Sequence, residues 1–433
     1  AIFLYGMNVM SDALQKAAGN KMKNLLEILT RNNVLAVLVG TVITAIIQSS
    51  SATTVMVVGL VNAGIMKLSQ AVGVIMGANI GTTMTAQLIA FKLTDVVPFA
   101  LILGVIFIFF GRKKTYKQIG EFVLGFGLLF MGMNYMSDAM KPLREIPQFT
   151  QLMVDLQHNP ILGVFAGFLL TAIVQSSSAT IGILQALASQ GLISIEAALP
   201  ILFGDNIGTC ITAILASIGA NLTAKRAALI HLTFNVIGTI IFLIILQPVT
   251  GIIKMISLDP VRQIANAHTL FNVTNTIIQL PFAGFLVAFV TKILPGKVED
   301  DPTKLVYLDE RILETPSVAV VQIIKEIIRM GEMARANTKK AIDAILNNDE
   351  KLIEEVYADE KVINTLERKI TEYLLAVSHK AISPEQSKRV AALFNTVHDV
   401  ERIGDHAQNI AEWVYYSIAG QHYERKYDEP REI

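Results

Sequence analysis

Apolar residues in the first two thirds of the chain run together instead of alternating. Stretches at 34–64, 96–111, 161–191 and 227–249 reach or approach ~18 residues, the length that crosses a hydrocarbon layer. So many long runs exceed what a soluble core needs, and residues 1–297 read as a polytopic helical membrane domain. After Leu294-Pro295-Gly296-Lys297 the pattern changes. Residues 298–302 read as a linker. Beyond them, long polar segments carry apolar residues at helical spacing, as in Val318, Val321, Ile324 and Ile328. Ser383-Pro384 reads as the start of the last long helix. The pattern predicts an all-α protein: a polytopic helical membrane unit followed by a soluble α-helical bundle of three or four antiparallel helices.

Charge sharpens that division. The formal net charge is zero. Lys and Arg exceed Asp and Glu by about eight in residues 1–297, and the reverse holds in 298–433. The basic cluster Arg112-Lys113-Lys114 with Lys117 fits a cytoplasmic loop, although the remaining loops give no clean alternation. No basic leader or small-residue cleavage site precedes the first apolar stretch, so no signal peptide is expected. The single cysteine, Cys210, excludes an intrachain disulfide and reads as a small packing residue.

The apolar runs are interrupted twice by the same polar string. Gln-Ser-Ser-Ser-Ala-Thr stands at 48–53 and again at 175–180. At that same offset Gly40 aligns with Gly167, and Thr44-Ala45 with Thr171-Ala172. Gly77-Ala78-Asn79-Ile80-Gly81-Thr82 aligns with Gly204-Asp205-Asn206-Ile207-Gly208-Thr209, and Thr85 with Thr212. Upstream, Gly6-Met7-Asn8-Val9-Met10-Ser11-Asp12-Ala13 matches Gly132-Met133-Asn134-Tyr135-Met136-Ser137-Asp138-Ala139, one residue out of register. Three motifs in one order mean a duplication. Duplicated membrane halves, often inverted, are the plan of secondary transporters, with the site where the halves meet. The expected units are therefore 1–125 and 126–297 as two inverted repeats, and 298–433 as the bundle. Consecutive serines compete for backbone hydrogen bonds and weaken a helix. Glycines supply the freedom that a tight turn needs. Both repeated motifs are thus expected to break helices, with 48–54 and 175–180 at the tips of re-entrant hairpins that face each other.

These motifs offer Gln, Ser, Thr, Asn and one Asp. They hold no Lys, Arg or His, so soft transition metals do not suit them. Hydroxyls and free N–H groups at helix N-termini suit an oxyanion, and amide, hydroxyl and carbonyl oxygens suit a hard cation such as sodium. Without arginine, co-bound cations would have to neutralise the anion. The halves differ where Ala78 is replaced by Asp205, a carboxylate at membrane depth and so a candidate for a cation site in one half only. Asp12 and Asp138 read as capping or gating residues. His231 and His268 open two related strings that bear Asn235 and Asn272, read as interhelical hydrogen bonds before site support. An enzyme is not expected, since the serines have no base beside them.

The twin strings at 48–53 and 175–180, with those at 77–83 and 204–209, resemble the type II sodium–phosphate cotransporters, in particular their bacterial members. The likeness covers residues 1–297. It implies sodium-coupled symport of inorganic phosphate across the cytoplasmic membrane by alternating access. It also implies phosphate contacts from Ser49, Ser50, Ser51, Ser176, Ser177 and Ser178. Gln48, Gln175, Thr180, Asn79, Asn206, Asp205 and Thr209 are implied as sodium ligands or their support. Animal members carry a cysteine-bearing loop between the halves, whereas here 141–159 is short and cysteine-free. In the tail, Val-His-Asp-Val-Glu-Arg-Ile-Gly-Asp-His-Ala-Gln-Asn-Ile-Ala-Glu-Trp at 397–413 resembles the signature of the PhoU family, which implies a phosphate-linked, cytoplasmic bundle. Glu401 and Asp405, with His398 a turn away, form one face, read as solvated and salt-bridged before metal-binding. Expected partners are phosphate, sodium and the bilayer, with a homodimer and a regulatory protein at the bundle as further candidates, and no nucleic acid or organic cofactor. Competing readings are an exporter, a proton-coupled phosphate carrier, and a membrane phosphate sensor.

Overall fold

The computed structural model describes residues 1–18, 32–91, 96–296, 305–347, 349–380, 382 and 384–418. The linker read at 298–302 and the cap at Ser383 lie outside the described residues. All regular structure among the described residues is helical, and the chain divides into two compact units, Ala1–Val298 and Glu299–Ile433.

The first unit holds α1 (Ile2–Ala18), α2 (Asn33–Ile47), α3 (Ser50–Asn62), α4 (Leu68–Ile89), α5 (Val97–Phe110), α6 (Lys114–Ala139), α7 (Pro147–His158), α8 (Pro160–Val174), α9 (Ser177–Ser189) and α10 (Ile195–Gly208). It continues with α11 (Cys210–Ser217), α12 (Leu222–Ile244), α13 (Leu246–Ile256), α14 (Pro260–Gln279) and α15 (Ala283–Ile293). Among the described residues, five helical segments are long and apolar enough to cross a membrane, or six if the α7–α8 pair, bent by 117°, counts as one span. Outward faces are apolar as lipid requires: Phe99, Ile102, Phe109 and Phe110 of α5, and Ile161, Phe165 and Ile173 of α8 are exposed. The fold is that of a multi-pass membrane protein.

The two halves are packed alike. Helix α2 lies along α4, and α8 lies along α10. Both contacts are made by glycines that let backbones touch. A Cβ added to Gly40 or Gly77 would strike the carbonyl oxygens of Val74 and Val37. In the second half, one added to Gly167 or Gly204 would strike those of Ile201 and Val164. Close approach of this kind is how small residues hold membrane helices together. It also corrects an expectation. Gly77 and Gly81 do not break a helix; they lie within α4, on the face that meets α2. Gly204 likewise lies inside α10, which ends at Gly208.

The breaks common to both halves fall at the other motif. Helix α2 stops at Gln48 and α8 at Gln175, both left-handed, with φ 58° and 54°. Non-glycine residues enter this region rarely and at a cost of about 1 kcal/mol. Two halves spend it at the same place.

The second unit is a bundle of three long helices, α16 (Pro316–Asn347), α17 (Glu350–Ser378) and α18 (Pro384–Ile418), each packed on the other two. Their buried faces carry Ile323, Met330 and Ala334, then Ile363 and Leu366, then Val397 and Ala407.

Candidate functional site

Each break is built identically. The N–H of Gln48 donates to the Thr44 carbonyl (2.6 Å), and that of Gln175 to the Thr171 carbonyl (2.7 Å). Ser49 then caps α3, accepting from the Ala52 N–H at 3.1 Å, and Ser176 caps α9, accepting from Ala179 N–H at 3.2 Å. A serine cap satisfies one of the free N–H groups of a first turn and fixes where the helix starts. Across each break the threonine hydroxyls meet: Thr44 with Thr53 and Thr171 with Thr180, both at 2.9 Å.

These breaks converge on one cavity of about 300 Å³. Gln48, Ser49, Ser50 and Ser51 line it from one half, and Gln175, Ser176, Ser177 and Ser178 from the other. The first turns of α3 and α9 therefore border the same space. Helix N-termini carry partial positive charge and free N–H donors, so two of them with six hydroxyls form a neutral cradle suited to an oxyanion. The two glutamines differ. Gln48 is buried, its Nε2 donating to the Ala45 carbonyl (2.5 Å) and its Oε1 accepting from Thr85 (2.8 Å), whereas Gln175 is exposed.

The remaining candidates do not line the cavity. Asn79 and Asn206 sit in α4 and α10 and donate to carbonyls of their own helices, Ile75 (3.1 Å) and Leu202 (2.9 Å). Asp205, Thr180 and Thr209 gather behind the second break. Asp205 is fully buried; Oδ1 accepts from Thr171 at 2.6 Å, and Oδ2 has no hydrogen-bond partner among the described residues. Thr209 donates to the Asp205 carbonyl at 3.0 Å. Thr171 thus joins Asp205 to Thr180 at the break. A buried carboxylate with one oxygen unmatched is costly unless a proton or a cation meets it. Hydroxyl and carboxylate oxygens are the donors that a hard cation takes.

Beyond the expected residues, the cavity is lined by Ile47 and by four residues of α1, Leu4, Met7, Asn8 and Ser11. Their spacing of three and four places them on one helical face. The signal was present, because three of them lie in the duplicated string that begins at Gly6. Elsewhere, Asn235 donates to the sulfur of Cys210 (3.3 Å), an interhelical bond, while Asn272 donates within its own helix to His268 (3.0 Å). Asp138 pairs with Lys141 at 2.8 Å.

In the bundle, Glu360 of α17 is buried. Asn364, with its amide nitrogen turned toward the carboxylates, donates to Glu360 Oε1 at 3.2 Å and Glu401 Oε1 at 3.3 Å. His398 approaches Glu401 at 3.6 Å. Among the described residues no group of three acidic, His or Cys side chains is placed to hold a metal ion. Burial, then the charges of Asp405 and Glu401, push the Glu360 carboxyl up to about 7. The unfolded chain releases this proton near 4.5, so the folded bundle binds more protons between those values. Its stability is full below the lower value and falls as pH rises through about 7. Glu360→Gln is expected to stabilise the bundle by about 2–3 kcal/mol at pH 8 and to flatten this dependence. Amide hydrogen exchange of α17 in the full chain, at pH 6 and pH 8, reads both effects.

Helix breaks that face one polar cavity inside a multi-pass unit define a membrane transport protein. A family model described as Na+/Pi-cotransporter matches residues 2–138 and 140–268, and the chain belongs to that family. The family is one of transporters and not of enzymes, and its substrate is phosphate. A PhoU domain matches residues 327–414. The chain is 34% identical over 295 residues to YqeW of Bacillus subtilis, an uncharacterized protein, spanning 68% of this chain and 96% of that one. It is 26% identical over 410 residues to YjbB of Salmonella typhimurium, described as a candidate inorganic phosphate export protein, spanning 94% and 75%. Over 91 residues it is 35% identical to sodium-dependent phosphate transport protein 2A of Ovis aries, spanning 21% and 14%. No solved structure matches the chain.

Proposed function

We propose that the protein carries inorganic phosphate across the cytoplasmic membrane together with sodium, by alternating access between two inverted halves, 1–125 and 126–297. Phosphate sits between the facing serine breaks. The observation that carries this is the single cavity that both Gln-Ser-Ser-Ser strings line. Its walls hold donors but no fixed positive charge, so the anion is bound without an arginine clamp and released again. Sodium sits at the second break, against Asp205, Thr171 and Thr180, with Thr209 in support. Asp205 has no counterpart in the first half, so this site is unpaired. Gln48, Gln175, Asn79 and Asn206 hold the surrounding backbone and take part less directly. The bundle is cytoplasmic and offers a surface to a regulatory protein; two copies of the chain pair in the membrane.

Ser50→Ala and Ser177→Ala each remove a hydroxyl at a helix start inside the cavity. A hydrogen bond to a charged group contributes roughly 1.5–3 kcal/mol. Each substitution is expected to raise the phosphate concentration for half-maximal uptake by roughly ten- to a hundredfold, with expression unchanged. Phosphate flux in proteoliposomes measures it, and parent-like kinetics in both variants would remove phosphate from the cavity.

A second reading keeps the site and reverses the task. The likeness to YjbB, described as a candidate inorganic phosphate export protein, favours net efflux in the cell. A carrier runs in the direction that its gradients set, so the same site serves both.

A further inference from the structure

Ser11 and Ser137 occupy the same place in the duplicated string, yet they are engaged differently. The Ser11 hydroxyl donates to the Ile47 carbonyl at 2.5 Å. Ile47 is the last residue of α2, where the break at Gln48 leaves carbonyls without partners in their own helix. Ser11 thus caps the broken end of the first half, and α1 packs on α2. Ser137 does not cap the corresponding end at Val174. It accepts from the Ser189 hydroxyl at 3.2 Å, at the end of α9, and α6 packs on α9. The cavity wall follows the same asymmetry. Leu4, Met7, Asn8 and Ser11 line it, whereas their counterparts Phe130, Met133, Asn134 and Ser137 are not among its lining residues. The glutamines follow too, with Gln48 buried and Gln175 exposed.

We infer that Ser11 and Ser137 are alternate latches: Ser11 on the Ile47 carbonyl holds the access state described here, and Ser137 on the Val174 carbonyl holds the opposite one. This rests on the reading that the two halves exchange roles during transport. In the exchanged state Asn134 and Ser137 join the cavity wall, Asn8 and Ser11 leave it, Gln48 becomes accessible and Gln175 is covered. The latches are positioning residues. They act through the broken ends of α2 and α8 and leave the phosphate to the serines of the breaks.

The test is thiol accessibility in the full-length protein in liposomes. Gln48→Cys or Gln175→Cys serves as reporter with a membrane-impermeant maleimide; the native Cys210 is buried. Ser11→Ala removes the latch of the described state, so labelling of the Gln48 reporter should rise about fivefold and that of the Gln175 reporter should fall. Ser137→Ala should do the reverse. Ser11→Thr keeps the hydroxyl and should behave like the parent, which separates a lost latch from a damaged helix. Effects of the same sign in both serine variants, or no effect in either, overturn the proposal. Adding sodium and inorganic phosphate to the parent tests the underlying reading separately. If they move labelling between the reporters while the serine variants do not, exchange of the halves stands and the latches fall. If they move nothing, the exchange itself fails.

Discussion

Asp205→Asn is expected to abolish most of the sodium dependence of phosphate uptake. The residue is buried completely, one carboxylate oxygen is matched by Thr171, and the other has no hydrogen-bond partner among the described residues. Charge in such a place must be met, and desolvating an ion without a partner costs several kcal/mol. In the proposed account sodium against Asp205 meets it, which would make cation binding favourable and couple it to the break through Thr171 and Thr180. An amide supplies the same shape without the charge. Loss of a charge-assisted contact costs roughly 1.5–3 kcal/mol, so the sodium concentration for half-maximal uptake should rise roughly ten- to a hundredfold. Thermal unfolding gives a second, independent readout. The parent should be stabilised by sodium as mass action requires, and the variant should not. Without sodium, the variant should be the more stable of the two, because its side chain carries no charge to bury. A variant with parent-like sodium response in both assays would place the cation elsewhere.

The largest structural effect is expected at the glycine contacts. Gly204→Ala puts a methyl onto the Val164 carbonyl, and Gly167→Ala puts one onto that of Ile201. These are backbone atoms of neighbouring helices, so no side chain can rotate away. Helices α8 and α10 must separate, and with them the helix that enters the second break moves away from Asp205. A cost of roughly 3 kcal/mol or more is expected for each, a large part of the stability of a folded unit. Gly77→Ala in the first half should act alike, against Val37. Gly251→Ala, where an added Cβ meets nothing, is the control. Monodisperse protein after detergent extraction measures the outcome: loss for the first three and none for the fourth. Equal behaviour of all four would show that the close contacts do not hold the helices of each half together.

How far the sequence reveals this molecule depends on which forces are local. The breaks at Gln48 and Gln175 were legible because serine caps and a polar interruption act within one turn, and because the string occurs twice in step. The cradle followed from that duplication. The glycine motifs are legible as special, but Gly77 and Gly81 serve packing inside a helix where a turn is expected, and only Gly208 stands at a helix end. Glycine serves a turn by tolerating positive φ, and serves packing by lacking Cβ. The spacing of four between Gly77 and Gly81, and between Gly204 and Gly208, favours packing, since it sets both on one helix face. Asn79 and Asn206 sit beside those glycines and are site candidates only through the family resemblance. Their side chains donate to carbonyls one turn earlier. The duplicated string marks Met7, Asn8 and Ser11 as special without giving them a role, because only packing of α1 on α2 brings them and Leu4 to the cavity. The same holds for Thr171, whose link to Asp205 joins residues 34 apart. In the bundle, helical periodicity gave the helices and their faces. The bridge from Asn364 to Glu360 and Glu401 depends on how α17 meets α18, which periodicity does not specify.

Coupled transport through the facing breaks is measured most directly by uptake of radiolabelled phosphate into proteoliposomes that hold the purified protein. An inward sodium gradient is compared with an equal potassium gradient. Uptake above the potassium level only with sodium, and lost in Ser50→Ala and Ser177→Ala, is the predicted result. Phosphate flux that ignores sodium, or phosphate binding with no flux under either gradient, would contradict it.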